Sequence, residues 1–396
     1  MSFEQKIALV VGASKEAVFA IESAKKLGFY VIAFDGCKDA EGLKYADEYH
    51  IVDIKDAGQI IHRLGSRIPD VILPVPIGRY LVTSGFLNEY FDLKGPYCMS
   101  TNICTDKYLF HERLHPYGLR NIDSELIING EVPNIKNLHY PIIVKPRFGS
   151  GNREVRAFFT KEDFVNEFVS KAPYDEDFIA ETLIQGTEYG VDGAVINGNF
   201  KLVLLREKKL TNYPFTQCIG YYSITKKQKD LLDKVNNYLT KIISVLKIQN
   251  ALLHCDLMIT EQGEPIVIEL SPRPSGHFLH NNFTIKATGI DAVKEYLHFV
   301  LDKISNFTPV HIKEMLIRFF NFENCKITKI PNAELLKQKY NIIEYVCNLK
   351  EGDLGTVKDG HSLMNRGYFI LDADTRKLLD KNAESILNNF EITKYN

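Results

Sequence analysis

At 396 residues the chain is longer than one hydrophobic core accommodates and calls for two or three domains, with 45% hydrophobic and 25% charged residues as in ordinary globular proteins. A net charge of -2 excludes nonspecific nucleic-acid binding as the main task, which needs a large positive footprint. The seven cysteines are scattered with no Cys-x-x-Cys spacing, so reduced thiols in a cytoplasm are the simplest reading, and the run Ile7 to Val11 is too short for a signal segment or a membrane span.

Over the first hundred residues, apolar runs (Ile7 to Val11, Tyr30 to Phe34, Val71 to Val75) alternate with helical stretches such as Glu16 to Leu27, which predicts a parallel α/β sheet. The first turn carries Gly12 but not the full dinucleotide fingerprint. With Asp35 at the end of the second strand a nicotinamide site is conceivable, yet an α/β domain without its own nucleotide is the stronger reading. Further on, the strand Pro141 to Lys145 leads into a loop, residues 147 to 153, with Gly149, Ser150 and Gly151. Glycines let backbone N–H groups approach phosphate oxygens, and Lys145 would neutralise them. An ordinary hairpin loop beside a surface lysine fits the same residues equally well. Apolar residues at 231, 235, 239, 242 and 246 predict a helix whose stripe is core and packs beneath the segment that follows. The last ninety residues end in a strand, Gly367 to Leu371, and a helix, Thr375 to Phe390.

That following segment carries the chemistry. Two branched runs, Leu253 to Ile259 and Pro265 to Leu270, flank Glu-Gln-Gly-Glu, and a hairpin centred on Gln262-Gly263 pairs positions whose numbers sum to 525. Asp256 then faces Glu269 with Cβ atoms about 5 Å apart, where like charges repel. A hard dication between them resolves the repulsion, and Mg²⁺ suits a site that also holds phosphate. Arg273, just beyond, offers a planar fork for phosphate or carboxylate. The bland alternative is a solvated face with two unpaired acids.

Together these pieces resemble the ATP-grasp superfamily, specifically its carboxylate-amine ligases, across most of the chain. The resemblance implies an α/β (α+β) fold in which residues 1–105 form an N-terminal parallel-sheet domain. Residues 106–186 would form a lid subdomain with the nucleotide lysines, 187–300 a catalytic subdomain, and 301–396 its C-terminal extension. The Thr105-Asp106-Lys107 start looks like the family's first nucleotide lysine and Pro141 to Pro146 like the strand bearing the second, so Lys107 and Lys145 would face ATP phosphates. Glu181 to Tyr189 is similar to the hinge that grips adenine through Glu181 and the backbone of Leu183 and Ile184, with Glu188 on the ribose. Glu269-Leu270-Ser271-Pro272-Arg273 looks like the metal-binding end, with Ser271 in place of the usual asparagine, which implies Asp256, Glu269 and Ser271 as ligands of Mg²⁺ or Mn²⁺.

The implied reaction uses ATP to turn a carboxylate into an acyl phosphate, which an amine attacks to give an amide, ADP and phosphate. Such transfer needs positioning and charge neutralisation more than a side-chain nucleophile, in keeping with a chain that shows no Ser-His-Asp or Cys-His constellation. Arg273 would hold the acyl phosphate. Arg206 is a candidate for orienting the substrate carboxylate, although a run such as Leu205 to Lys209 is usually a solvated face. His254 and His277 are weighed as proton acceptors against the commoner reading of a satisfied structural histidine. The loop 148–154 is expected to be a mobile lid. The partners implied are a small carboxylate and an amine, with no nucleic acid or membrane and room for a homodimer. Alternative readings are an ATP-grasp-like small-molecule kinase and a nucleotide-binding module without turnover.

Overall fold

The computed structural model describes residues 5–133, 135–149, 154–211, 217–355 and 360–395. Small and β-branched residues, which suit a pleated surface, form β1 (Ile7–Val11), β2 (Tyr30–Asp35), β3 (Glu48–Ile51) and β4 (Val71–Ile72). They pair in parallel in the order β3-β2-β1-β4, as expected, and β1 and β2 are buried almost throughout because both faces of the sheet are covered. The run Val71 to Val75 yields only two strand residues, since Pro74 and Pro76 have no N–H for a ladder. Asp35, weighed above as a ribose ligand, accepts N–H groups from Ala13 at 2.7 Å and Cys37 at 2.8 Å and ties the first turn to the end of β2.

β5 (Ser124–Ile127), β6 (Ile142–Pro146), β7 (Arg156–Phe158) and β8 (Phe178–Thr182) form an antiparallel sheet in the order β5-β8-β6-β7, packed on Phe158, Phe164, Phe168 and Phe178. Then come β9 (Gly186–Ile196), β10 (Asn199–Leu210), β11 (Cys218–Ser223), β12 (Ala251–Thr260), β13 (Pro265–Ser271), β14 (Met315–Phe319), β15 (Cys325–Lys329), β16 (Ile342–Cys347), β17 (Gly367–Asp372) and β18 (Glu391–Lys394). Eight of these make one antiparallel sheet, β13-β12-β9-β10-β11-β14-β17-β16, while β15 pairs with β18.

The helix Lys229–Leu246 lies beneath β12 and β13 as its stripe predicts: Val235, Leu239, Ile242 and Leu246 share a core with Leu253, Leu257, Val267 and Leu270, while Leu231 at the end of the stripe is half-buried. Each such side chain removed from water contributes about 1.5–3 kcal/mol. Among the described residues no helix is long and apolar enough to cross a membrane.

Candidate functional site

β12 alternates: Leu253, Cys255 and Leu257 enter the core above the helix, and His254, Asp256 and Met258 line a cavity of 990 Å³ on the other face. Asp256 pairs with Glu269 in register, but the hairpin reaches that pairing by an unexpected route. Its turn has three residues rather than two, closed by Thr260 and Glu264, with Gly263 at φ 79°, where a side chain is strained. That turn alone gives pairs summing to 524, as in Leu257 with Val267, and would turn Glu269 into the core. Ile268 is an extra residue in β13, so it and Glu269 both line the cavity while Val267 and Leu270 both stay in the core. The Val267 backbone at this bulge is satisfied from outside the hairpin: its N–H donates to Tyr238 Oη at 2.9 Å, and its carbonyl accepts from Arg120 Nε at 3.1 Å.

His254, Asp256 and Glu269 each bring one ligand atom to within 4.8 Å of the others, and Asp256 Oδ1 is buried with no hydrogen-bond partner among the described residues. His254 Nε2 lies 3.6 Å from that oxygen. Burial, then the Arg273 and Arg206 guanidiniums, push the His254 imidazole down to about 3. Ser271 stands opposite His254 in the ladder and lines a smaller, adjoining cavity of 70 Å³ together with Glu269 and Arg273.

A cationic cluster borders the same main cavity. Lys145 on β6 and Glu181 on β8 are ion-paired at 2.5 Å, and Arg120 meets the other Glu181 oxygen at 2.7 Å. Burial by itself would raise the Glu181 carboxyl, but Arg120 and Lys145 outweigh it and hold it at about 2. Arg120 also reaches His111 Nδ1 at 2.8 Å, and burial followed by that guanidinium lowers the imidazole to about 4. Lys107 follows Asp106, which caps the helix Lys107–Leu114 and accepts from Arg147 Nη2 at 2.7 Å, so the turn that aims Lys107 is fixed to the end of β6. Lys107 Nζ donates to the Gly149 carbonyl at 2.9 Å.

Leu183, Ile184 and Glu188 line the cavity as well, and the Leu183 N–H donates to the Pro141 carbonyl at 3.0 Å. The Glu181 side chain, expected at the adenine edge, lines the cavity with its two oxygens on Lys145 and Arg120, the second of which sequence reasoning missed. Ser150 and Gly151, with most of the expected lid, lie outside the described residues.

The run Leu205 to Lys209 is not the solvated face expected. Lying on a strand, it splits between two faces: Glu207 and Lys209 meet Arg376 and Asp380 at 2.5 Å and 2.9 Å. Arg206 is 0% exposed, pairs with Asp192 at 3.0 Å and does not line the cavity, so the expectation that it meets the substrate carboxylate is corrected to a buried position behind the wall. Lys208, on the same face, does line the cavity and was overlooked; its alternation with Arg206 was the available signal. Arg273 lines the cavity, and burial lowers its guanidinium while Glu269, Glu16 and Asp256 pull the other way. Glu16, also overlooked, comes from the turn after β1 and accepts the His277 N–H at 2.6 Å; no local motif marks a contact 261 residues apart in sequence. His277 lines the cavity with φ 62°, and Phe278 follows at φ 59°.

A family model described as an ATP-grasp domain matches residues 138–281, which include β6, the hinge, β10 and the hairpin. The D-alanine--D-alanine ligase B of Clostridium perfringens is 27% identical over 183 residues, 44% of this chain and 60% of the ligase, so the chain spans well under its full length. The L-arginine-specific L-amino acid ligase of Bacillus subtilis is 22% identical over 303 residues, covering 74% of this chain and 73% of the relative. Among solved structures, the L-amino acid ligase from Bacillus licheniformis superposes with a TM-score of 0.79 at 18% identity over 100% of both chains. Residues 138–281, with the hinge and the opposed acids, thus match an ATP-grasp domain, and the whole chain shares the fold of the L-amino acid ligase structure.

Proposed function

We propose that the protein is a cytoplasmic, ATP-dependent carboxylate-amine ligase that forms an acyl phosphate from a small carboxylate and passes the acyl group to an amine, releasing ADP and phosphate. The observation that carries this reading is the opposed acid pair, one oxygen of it without a hydrogen bond among the described residues, in one cavity with Lys107, Lys145 and Arg120. The ligase names of the relatives support it.

Lys107 and Lys145 would lie on phosphate oxygens, with Gly149, whose carbonyl accepts from Lys107 Nζ, beside them. Glu181 sets the direction of Lys145 and Arg120. Leu183, through its carbonyl, and Ile184 would border the base, and Glu188 the ribose. The donor set fits a hard dication, since two carboxylates oppose each other beside a neutral imidazole and Asp256 Oδ1 has no hydrogen bond among the described residues. Asp256 and Glu269, with Ser271 alongside, would hold Mg²⁺ or Mn²⁺, which when bound offsets charge on the transferring phosphoryl group. Arg273 orients the substrate carboxylate, whose oxygen attacks the γ-phosphorus as the bond to the bridging oxygen of ADP breaks. The amine nitrogen then attacks the acyl carbon, phosphate leaves and the nitrogen loses a proton. Arg206 acts from behind, keeping Asp192 and the back of the wall in place.

A panel of carboxylic acids incubated with ATP, Mg²⁺ and hydroxylamine tests this. The expected result is a hydroxamate formed one-for-one with ADP. AMP with pyrophosphate, or a stable phosphorylated product that hydroxylamine leaves intact, would overturn it.

A further inference from the structure

Lys208 occupies the place to which a free cation would be drawn. Its ammonium lies 2.6 Å from Asp256 Oδ2 and 2.5 Å from Glu188 Oε1, and its side chain is 8% exposed. β10 delivers it there because Arg206, two residues earlier on the same face, is anchored by Asp192, while Glu207 and Lys209 on the opposite face are tied to the helix Arg376–Leu387. Asp256 therefore has one oxygen on Lys208 and the other without a hydrogen bond among the described residues. An ammonium with so little access to water is held by its two acids, and either acid without it would be a buried, poorly compensated charge.

We propose that Lys208 is a positioning residue that neutralises the acid cluster while nucleotide is absent and so makes divalent-cation binding conditional on the nucleotide. A dication arriving alone must share the Asp256 carboxylate with a fixed ammonium, and the two repel. A dication arriving with a triphosphate brings negative charge that offsets both cations. By linkage, nucleotide and metal then raise each other's affinity by the same factor, and Lys208 supplies part of that coupling. The inference rests on Asp256 and Glu269 as the cation ligands and is independent of the reaction that follows. A purely structural bridge predicts something else: removing Lys208 would lower stability and leave ion affinity unchanged.

The test is Mn²⁺ binding to the full chain, followed by the paramagnetic resonance of free Mn²⁺. Without nucleotide, Lys208→Met and Lys208→Gln should bind Mn²⁺ at least tenfold tighter than the unmodified protein, and Lys208→Arg should not. Adding Asp256→Asn to Lys208→Met should abolish the gain. In the unmodified protein the β,γ-imido analogue of ATP should tighten Mn²⁺ at least tenfold, and this factor should shrink in Lys208→Met. Equal Mn²⁺ affinity in the unmodified protein and the charge-removing variants, or a gain that survives Asp256→Asn, would overturn the proposal. Should both charge-removing variants fail to fold, equal Mn²⁺ affinity of the unmodified protein with and without the analogue does the same.

Discussion

Two cross-strand pairs of ionisable residues border one cavity, and they differ in whether their charges close on each other. On β6 and β8, Lys145 and Glu181 are diagonal neighbours: Lys145 faces Ile179 and Glu181 faces Ile143. Their opposite charges meet, Arg120 completes the set, and little is left for a ligand to do to Glu181. On β12 and β13, Asp256 and Glu269 face each other directly with the same sign, and only the inserted Ile268 brings the second acid to the cavity side. A closed pair fixes the direction of its cations; the open pair, in which Lys208 meets one Asp256 oxygen, leaves the other Asp256 oxygen without a hydrogen bond among the described residues and so ready for a further cation. Within one cavity the first is framework and the second is the place where a ligand changes the energy.

The largest expected effect separates the two in opposite senses. Glu269→Ala should lower ADP release by about a thousandfold or more, since several kcal/mol of charge stabilisation disappears and each 1.36 kcal/mol is about tenfold. The urea unfolding midpoint should hold or rise, because one of two repelling carboxylates is gone. Near-normal turnover would remove the acid pair from the site. Glu181→Ala should do the reverse to stability, costing about 3–5 kcal/mol by leaving Lys145 and Arg120 buried without their acid. A variant unfolding at the unmodified midpoint would show that the closed pair is not framework.

Acid should reveal the closed cluster in two steps. His111 at about 4, His254 at about 3 and His280 at about 4 stay neutral in the fold largely because burial penalises the charged ring. Below about pH 6.5 the unfolded chain takes up protons that the fold refuses, so their contribution is full above that value and declines as pH falls towards 4. Glu181, held at about 2, contributes above the unfolded value of about 4.3, and that part is lost as pH falls from there towards 2. Unfolding midpoints should hold from pH 7.5 to about pH 6.5 and fall from there to pH 3.5, and Glu181→Gln should flatten the part below about pH 4.5 alone. A slope unchanged below pH 4.5 in that variant would break the assignment.

Local pattern carried β1, β2, the helix Lys229–Leu246 and the Asp256–Glu269 pairing, because each depends on periodicity or turn chemistry within a few residues. The hairpin is instructive, since a two-residue turn with regular strands and a three-residue turn with a bulge produce the same opposition; neighbouring residues do not choose between them. What stayed hidden depends on distant parts of the chain. Arg120 reaches Glu181 and Val267, Glu16 reaches His277, and Glu207 and Lys209 in the run at 205 to 209 are met by a helix that begins at Arg376. A charge run on a strand looks solvated until the element that covers one of its faces is known.

The smallest expected effect concerns that helix and asks whether closure or burial gives a pair its weight. Arg376 meets both Glu207 oxygens at 2.5 Å and stacks over the Tyr222 ring with its guanidinium carbon 3.8 Å from the centroid, so its charges are as fully closed as those of Glu181. Its side chain is 40% exposed, however, and water can replace much of what is lost. Arg376→Ala should therefore cost only about 1 kcal/mol, split between a screened ion pair and the cation–π contact. Unfolding in urea at low and at 0.5 M salt measures it, and added salt should shrink the difference from the unmodified protein. A loss as large as that of Glu181→Ala, unmoved by salt, would mean that a closed charge pair is worth the same wherever it lies, and the distinction between framework and ligand site would then have to rest on geometry alone.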